Sequence, residues 1–399
     1  MQTDRELPFR LPDDAVVADY GDGGLYGLVG AIGAFLDGEM WTFPASGSVV
    51  QPVRSTARVL VFVLVDGLGD AFLQRHGRGS RLLANRVRRI TSVFPSTTAS
   101  AVTTVLTGIA PAEHGLTGWF IRDHRFGGII APLPLTLRTG GVVDVGDVER
   151  LFPYRTLFIE RRRPAIMVSP RHIARSAYSQ RHCRGARIRA YEGLDGMVDA
   201  VAAAAAALSA SGGGYVHAYY PDFDALSHDC GCESGAVVEE FWRIDAAMGR
   251  LAERLAPLEA EMLISADHGF IDSPETRLID LDEHPDAVAM LNGPLFGERR
   301  AAFADVRDGA EAEFAAFAGE VLAGKAVLVR SADLLARGFF GPAPYHRRIG
   351  ERVGTHTLLM QPGWTIRDRL PGEKVPRMIG VHGGLSPQEM WIPLIRMQA

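Results

Sequence analysis

After Arg58, residues Val59-Leu-Val-Phe-Val-Leu-Val65 form an unbroken apolar, largely β-branched run that stops at Asp66-Gly-Leu-Gly69. A continuous run, without polar alternation, predicts a strand buried on both faces, as in a parallel sheet covered by helices. The carboxylate at its C-terminal end stands where open α/β sheets form ligand sites. Further strands are predicted at Ile90–Phe94, Ala165–Val168, Tyr215–Tyr220, Met262–Ser265, Val327–Val329 and Thr357–Met360. Between them lie helical stretches, clearest at Leu194–Ser209 and Glu239–Leu255, and a helix from Thr97 to Leu106 closed by Gly108. This alternation predicts an α/β three-layer sandwich with a mainly parallel central sheet and helices on both faces.

The chain has 399 residues, enough for one large domain. Residues 1–55, rich in Gly, Pro and Asp clusters, read as an irregular arm packed on the core. Residues 56–399 read as a single catalytic domain. The stretches 120–190 and 272–352 break the strand–helix rhythm and are expected to be caps over the site. A net charge of −5 argues against a nucleic-acid polymer as partner. No run approaches the roughly 20 apolar residues of a membrane span. The Asp-rich start lacks a basic-then-apolar leader, so a cytoplasmic location is expected. Cys183, Cys230 and Cys232 cannot build a disulfide framework. Cys230 and Cys232, separated by one residue and without a second pair, read as loop thiols, not a zinc site.

Four segments place acidic or imidazole groups just after apolar stretches. Asp66 is either a metal ligand or a helix cap. Asp224 and His228 lie four apart, on one face of a helical turn where one ion can bridge them; Asp222, without an imidazole at that spacing, is the weaker choice. Asp267-His268-Gly269 puts two donors at a strand end beside a residue that permits close backbone approach. His382-Gly-Gly384, read alone, is indistinguishable from an ordinary histidine. A fifth element is the hydroxyl of Thr97 or Thr98 at a helix N-terminus, where unpaired N–H groups favour an anion; either threonine could instead only cap the helix. In conjunction these segments supply the roughly six N/O ligands and the nucleophile needed by a two-metal site for displacement at phosphorus.

In chain order the motifs are Val65-Asp66-Gly, Thr98 through Thr107-Gly108, Pro111-Ala-Glu-His114-Gly, Asp224–His228, Ser265-Ala-Asp267-His268-Gly and His382-Gly-Gly. Together they resemble the alkaline phosphatase superfamily, and most closely its type I phosphodiesterase / nucleotide pyrophosphatase branch, over about residues 57–392. The resemblance implies that Asp66, Thr98, Asp267 and His268 hold one divalent ion and that Asp224, His228 and His382 hold the other. Zinc is the implied pair, with manganese as the alternative. It also implies Thr98 as the nucleophile, because Thr98 precedes Thr107-Gly108 by the family interval. A phospho-threonine would form there and be released by water. The sequence departs from the family in two places. Ala99-Ser100 follows Thr98 where Phe-Pro is usual, which keeps Thr97 as the second choice, and Trp119 stands where a phosphoryl-binding Asn is expected.

The expected function is therefore hydrolysis of a phosphodiester or pyrophosphate bond in a small-molecule phosphoester. The nearest alternatives are a phosphomonoesterase or phosphonate hydrolase with the same site; a monoesterase should present an Arg or Lys to the extra charge, and the Arg161–Arg163 cluster is a candidate source. A phosphomutase would require large extra domains, and a non-catalytic phosphatase-like module would be free to lose these ligands. The segment Ser96-Thr97-Thr98 lacks a sulfatase pattern.

Overall fold

The computed structural model describes residues 7, 9–43, 53–54, 56–144, 146, 148–371, 373 and 377–398. The main strands are β1 (Val59–Val65), β2 (Arg86–Thr91), β3 (Ala165–Pro170), β4 (Arg187–Tyr191), β5 (Gly214–Tyr220), β6 (Ala260–Ser265), β7 (Phe296–Gly297), β8 (Ala301–Ala304), β9 (Ala326–Arg330), β10 (His356–Met360) and β11 (Trp391–Gln398). Seven of them form the central sheet, in the order β2-β11-β6-β1-β5-β3-β4. β1 pairs in parallel with β5 and with β6, and all its residues are buried. Its apolar run thus reflects a strand covered on both faces. β11, which the sequence did not announce, runs antiparallel between β6 and β2.

The helices that matter for the site are α1 (Leu25–Leu36), α2 (Thr98–Thr107), α3 (Gly193–Ala210), α4 (Asp222–Cys230) and α5 (Gly235–Leu255). α2 starts one residue later than expected, with Thr97 as its extended N-cap, and ends at Gly108 in the left-handed conformation (φ 77°). α3 is long and apolar enough, by length and composition, to cross a membrane. Its buried side (Leu194, Met197, Val201, Ala205, Leu208) packs on the central sheet and on α5, which accounts for its alanine-rich composition.

Three expectations need correcting. The N-terminal segment, read as irregular, contains the buried helix α1, which packs on α2. The stretch 120–190 is not all cap, because β3 and β4 belong to the central sheet; only Ile121–Asp123, Gly128–Ala131 and Thr136–Leu137 form a separate small sheet. The strands around 327 and 357 do not extend the parallel sheet. They form a second, antiparallel sheet in the order β7-β8-β10-β9 with its own apolar clusters. Short apolar runs carry the strand signal but not the sheet that receives them.

Candidate active site

The C-terminal ends of the three central strands β1, β5 and β6 deliver most of the site. Asp66 follows β1, Asp224 and His228 lie on α4 just after β5, and Asp267 and His268 follow β6. Thr98 opens α2, and His382 follows the short strand Gly380–Val381. The structure brings these seven residues together. His268 Nε2 lies 3.3 Å from Asp66 Oδ1, 3.5 Å from Asp267 Oδ2 and 3.9 Å from Asp224 Oδ1. Thr98 Oγ1 is 3.2 Å from His268 Nε2 and 3.5 Å from Asp66 Oδ1. Asp224 Oδ1 is 3.5 Å from His228 Nε2 and 3.8 Å from His382 Nε2. The donors fall into two close groups, Asp66–Asp267–His268 and Asp224–His268–His382, with His268 common to both.

The backbone fixes how these groups point. His228 Nδ1 donates to Gly380 O, His268 Nδ1 to Gly269 O and His382 Nδ1 to Ser96 O. Each ring therefore turns a bare Nε2 into the cluster, the tautomer a metal requires. Asp267 Oδ1 accepts from the N–H groups of Gly67 and His268, both at 3.0 Å. Gly67 sits at φ 76°, and a Cβ there would meet the Phe270 ring at 2.3 Å, so only glycine fits this turn. The Tyr219 hydroxyl donates to Asp66 Oδ2.

This donor set calls for cations. Asp224 Oδ1 and Asp267 Oδ2 are buried without any hydrogen-bond donor. His228 Nε2 and His382 Nε2 face each other at 3.2 Å, a contact that two lone pairs cannot make favourable by themselves. Burial, followed by the charge of Asp66, pushes the Asp267 carboxyl up to about 8. Burial raises Asp66 and Asp224 as well, and it lowers His228 to about 4 and His382 well below the ordinary imidazole range. Such shifts describe anionic ligands crowded together and imidazoles held neutral, an environment that divalent ions relieve. Oxygen and imidazole donors without thiolate suit zinc or manganese.

A cavity of about 430 Å³ opens onto this cluster, lined by Thr98, Asp224, His228 and His382 and by Trp119, Phe120, Phe296 and Leu295. Trp119, which stands where a phosphoryl-binding Asn was expected, is among the residues lining this cavity. Its N–H donates to Glu298 Oε1 at 2.6 Å, and Thr97 Oγ1 donates to the same oxygen at 2.7 Å. Thr97 is thus occupied, whereas Thr98 faces the cluster. Sequence reading missed Glu298, Arg299 and Tyr219. Tyr219 had a weak signal in its place beside the end of β5; the pair 298–299 had none, lying in a segment expected only to cap. The arginines at 161–163 do not line the cavity. Arg161 bonds Leu157 O and pairs with Asp37, and Arg163 stacks over Phe35 of α1. The three cysteines are free thiols.

A family model described as type I phosphodiesterase / nucleotide pyrophosphatase matches residues 60–132 and 142–385. No curated protein sequence matches the chain. Among solved structures, murine ectonucleotide pyrophosphatase/phosphodiesterase 5 is similar at 17% identity and a TM-score of 0.62, covering 84% of this chain and 87% of that one. Its inactive threonine-to-alanine form in complex with AMP is similar at 17% identity and a TM-score of 0.61, covering 85% of this chain and 87% of that one. Phosphonoacetate hydrolase from Sinorhizobium meliloti 1021 in complex with phosphonoformate is similar at 16% identity and a TM-score of 0.62, covering 90% of this chain and 94% of that one. The match to the family model over most of the chain, and the fold it shares with these structures, lead to one conclusion: the chain belongs to the type I phosphodiesterase / nucleotide pyrophosphatase family of phosphoric ester hydrolases, in the alkaline phosphatase superfamily.

Proposed function

We propose that this protein hydrolyses a phosphodiester or pyrophosphate bond of a small molecule, with two divalent cations and a phospho-threonine intermediate on Thr98. The observation that carries this reading is the position of the Thr98 hydroxyl at the N-terminus of α2, 3.2 Å from His268 Nε2 and 3.5 Å from Asp66 Oδ1. Asp66, Asp267, His268 and Thr98 would hold one ion, and Asp224, His228 and His382 the other, with His268 near enough to Asp224 to lie between them. Bound there, the ions would neutralise phosphoryl oxygens and ease loss of the threonine proton.

The chain's own groups account for the remaining steps. Thr98 Oγ1 attacks phosphorus as the bond to the leaving oxygen breaks, and water then cleaves the new P–O bond to regenerate the hydroxyl. The N-terminus of α2, which Thr98 opens, would favour the charge of a phosphoryl group held there. Glu298 holds Thr97 aside, leaving Thr98 as the hydroxyl that faces the cluster. The inactivity of the threonine-to-alanine form of the murine protein supports a threonine nucleophile in this fold. A phosphonate-hydrolase reading is favoured by the extent of the likeness to phosphonoacetate hydrolase.

Thr98→Ala is expected to lower turnover of bis-p-nitrophenyl phosphate by at least about a thousandfold while metal content stays near that of the wild type. Activity that survives the substitution would remove Thr98 as nucleophile. Rates on bis- and mono-p-nitrophenyl phosphate and on phosphonoacetate separate the diesterase from the two alternatives, and a preference for the monoester would overturn the diesterase assignment.

A further inference from the structure

One phenyl ring packs against every imidazole of the cluster. Phe270 follows Asp267-His268-Gly269 and is buried. Its ring centroid lies 5.0 Å from that of His228, 5.5 Å from His268 and 5.3 Å from His382, at interplanar angles of 78°, 64° and 87°. These are the edge-to-face arrangements that aromatic rings favour. His268 and His382 in turn stack on each other at 3.7 Å. Backbone grips the same phenyl ring. A Cβ at Gly67, next to Asp66, would meet it at 2.3 Å, and one at Gly380 would meet it at 3.1 Å. The Gly380 carbonyl is the acceptor for His228 Nδ1. Just beyond Phe270, Ile271 and Asp272 pair antiparallel with Val381 and Gly380, the residues that lead into His382. The ring is thereby fixed among the segments that carry Asp66, His228, His268 and His382.

This placement meets an energetic need. His228 Nε2 and His382 Nε2 lie 3.2 Å apart, and two bare nitrogens repel unless a cation offsets them. Imidazoles free to rotate would turn apart, and binding an ion would then carry the cost of ordering them again. Phe270 also borders a second cavity of about 240 Å³, together with Gly67, Phe72, Phe223 and Cys232. A smaller or more flexible side chain at this position therefore has space to move into and leaves the imidazoles unsupported. We infer that Phe270 is a positioning residue that holds His228 and His382 ready for the second cation, and that it governs the affinity of that ion far more than that of the first. The inference rests on the proposed two-cation reading of the site. Its asymmetry follows from the ligand sets. Two of the three proposed ligands of the second ion, His228 and His382, pack on Phe270, whereas among Asp66, Thr98, Asp267 and His268 only the histidine does.

The test is stepwise titration of the full, metal-stripped chain with zinc, read by competition with two chelating dyes of different affinity. Wild type, Phe270→Leu and Phe270→Met are compared. His382→Ala is the reference, because the equivalent that it loses is the second ion. Leucine and methionine keep most of the apolar volume but not the rigid plane, and either variant decides the matter if the other fails to fold. Each is expected to weaken the second equivalent by about tenfold to a hundredfold and the first by less than about threefold. With cobalt in place of zinc, the visible absorption of the second equivalent should change in the variants while that of the first stays as in the wild type. A general loss of packing would weaken both equivalents alike. That outcome, or a second equivalent bound as tightly as in the wild type, overturns the inference and leaves the two-cation reading standing. A wild type that binds fewer than two equivalents defeats both together.

Discussion

Tyr219 shows how much of the site is set by residues that never reach the substrate. Its hydroxyl donates to Asp66 Oδ2, which leaves Oδ1 as the oxygen turned toward His268 and Thr98. A carboxylate held in this way presents one oxygen in a fixed direction, the arrangement that strengthens metal ligation. Tyr219→Phe is expected to weaken metal affinity by about tenfold to a hundredfold, as read by competition with a chelating dye. An unchanged affinity would show that Asp66 needs no such support. Residue identity alone could not have named Tyr219, since an aromatic side chain in a strand reads equally well as core. Asp66, Asp267 and His268 were legible because each follows an apolar run at the point where a strand must end.

At the scale of elements, the loop that carries His382 is secured by an ion pair from the second sheet. Arg300 and Glu389 are both fully buried and meet in a two-pronged pair, Nε to Oε1 at 3.0 Å and Nη2 to Oε2 at 2.7 Å. Glu389 also accepts from Gly384 N–H, two residues from His382, and the Gly384 carbonyl accepts from Ser96 Oγ, two residues before Thr98. The guanidinium of Arg300 donates in addition to the carbonyls of Gln361 and Trp364. Removal of one partner from a buried pair leaves the other charge uncompensated. Arg300→Met is therefore expected to cost about 3–5 kcal/mol, measured by denaturant unfolding. A loss below about 1 kcal/mol would mean that Glu389 is neutralised by its remaining donors. The elements themselves were legible from hydrophobic period and caps, as with α2 between Thr97 and Gly108. Their partners were not: β9 and β10 show the same apolar run as a parallel core strand, and only the antiparallel pairing of β10 with β8 and of β9 with β10 places them in another sheet.

For the whole molecule, the crowded carboxylates make stability depend on both pH and metal. Asp267 is pushed up to about 8, and Asp66 and Asp224 are raised too, in each case first by burial. In the unfolded chain these groups lose their protons near pH 4. The metal-free folded state therefore holds carboxyl protons that the unfolded state has released. Below about pH 6.5 the neutral His228 and His382, which the unfolded chain would protonate, act in the opposite direction, so it is from about pH 6.5 to about 8 that stability falls as pH rises. The Tm of chelator-treated protein is expected to drop across that range, and added zinc or manganese should flatten the profile by binding the ionised, folded form. A metal-free profile without slope would show that the carboxylates are not held as the structure places them.

The sequence by itself determined the α/β architecture, since an unbroken apolar strand such as β1 can be satisfied only with helices over both faces of its sheet. It also brought out acidic and imidazole residues near strand ends as candidate ligands, by their conjunction and not singly, since Asp66 read alone could be a helix cap and His382 an ordinary histidine. Tertiary structure decided what surrounds them. Glu298 and Arg299 arrive at the cavity from a sheet far along the chain, whereas Arg161 pairs with Asp37 at the end of α1 and Arg163 stacks over Phe35. Such arrivals depend on long-range pairing between elements, and local period and spacing do not encode it.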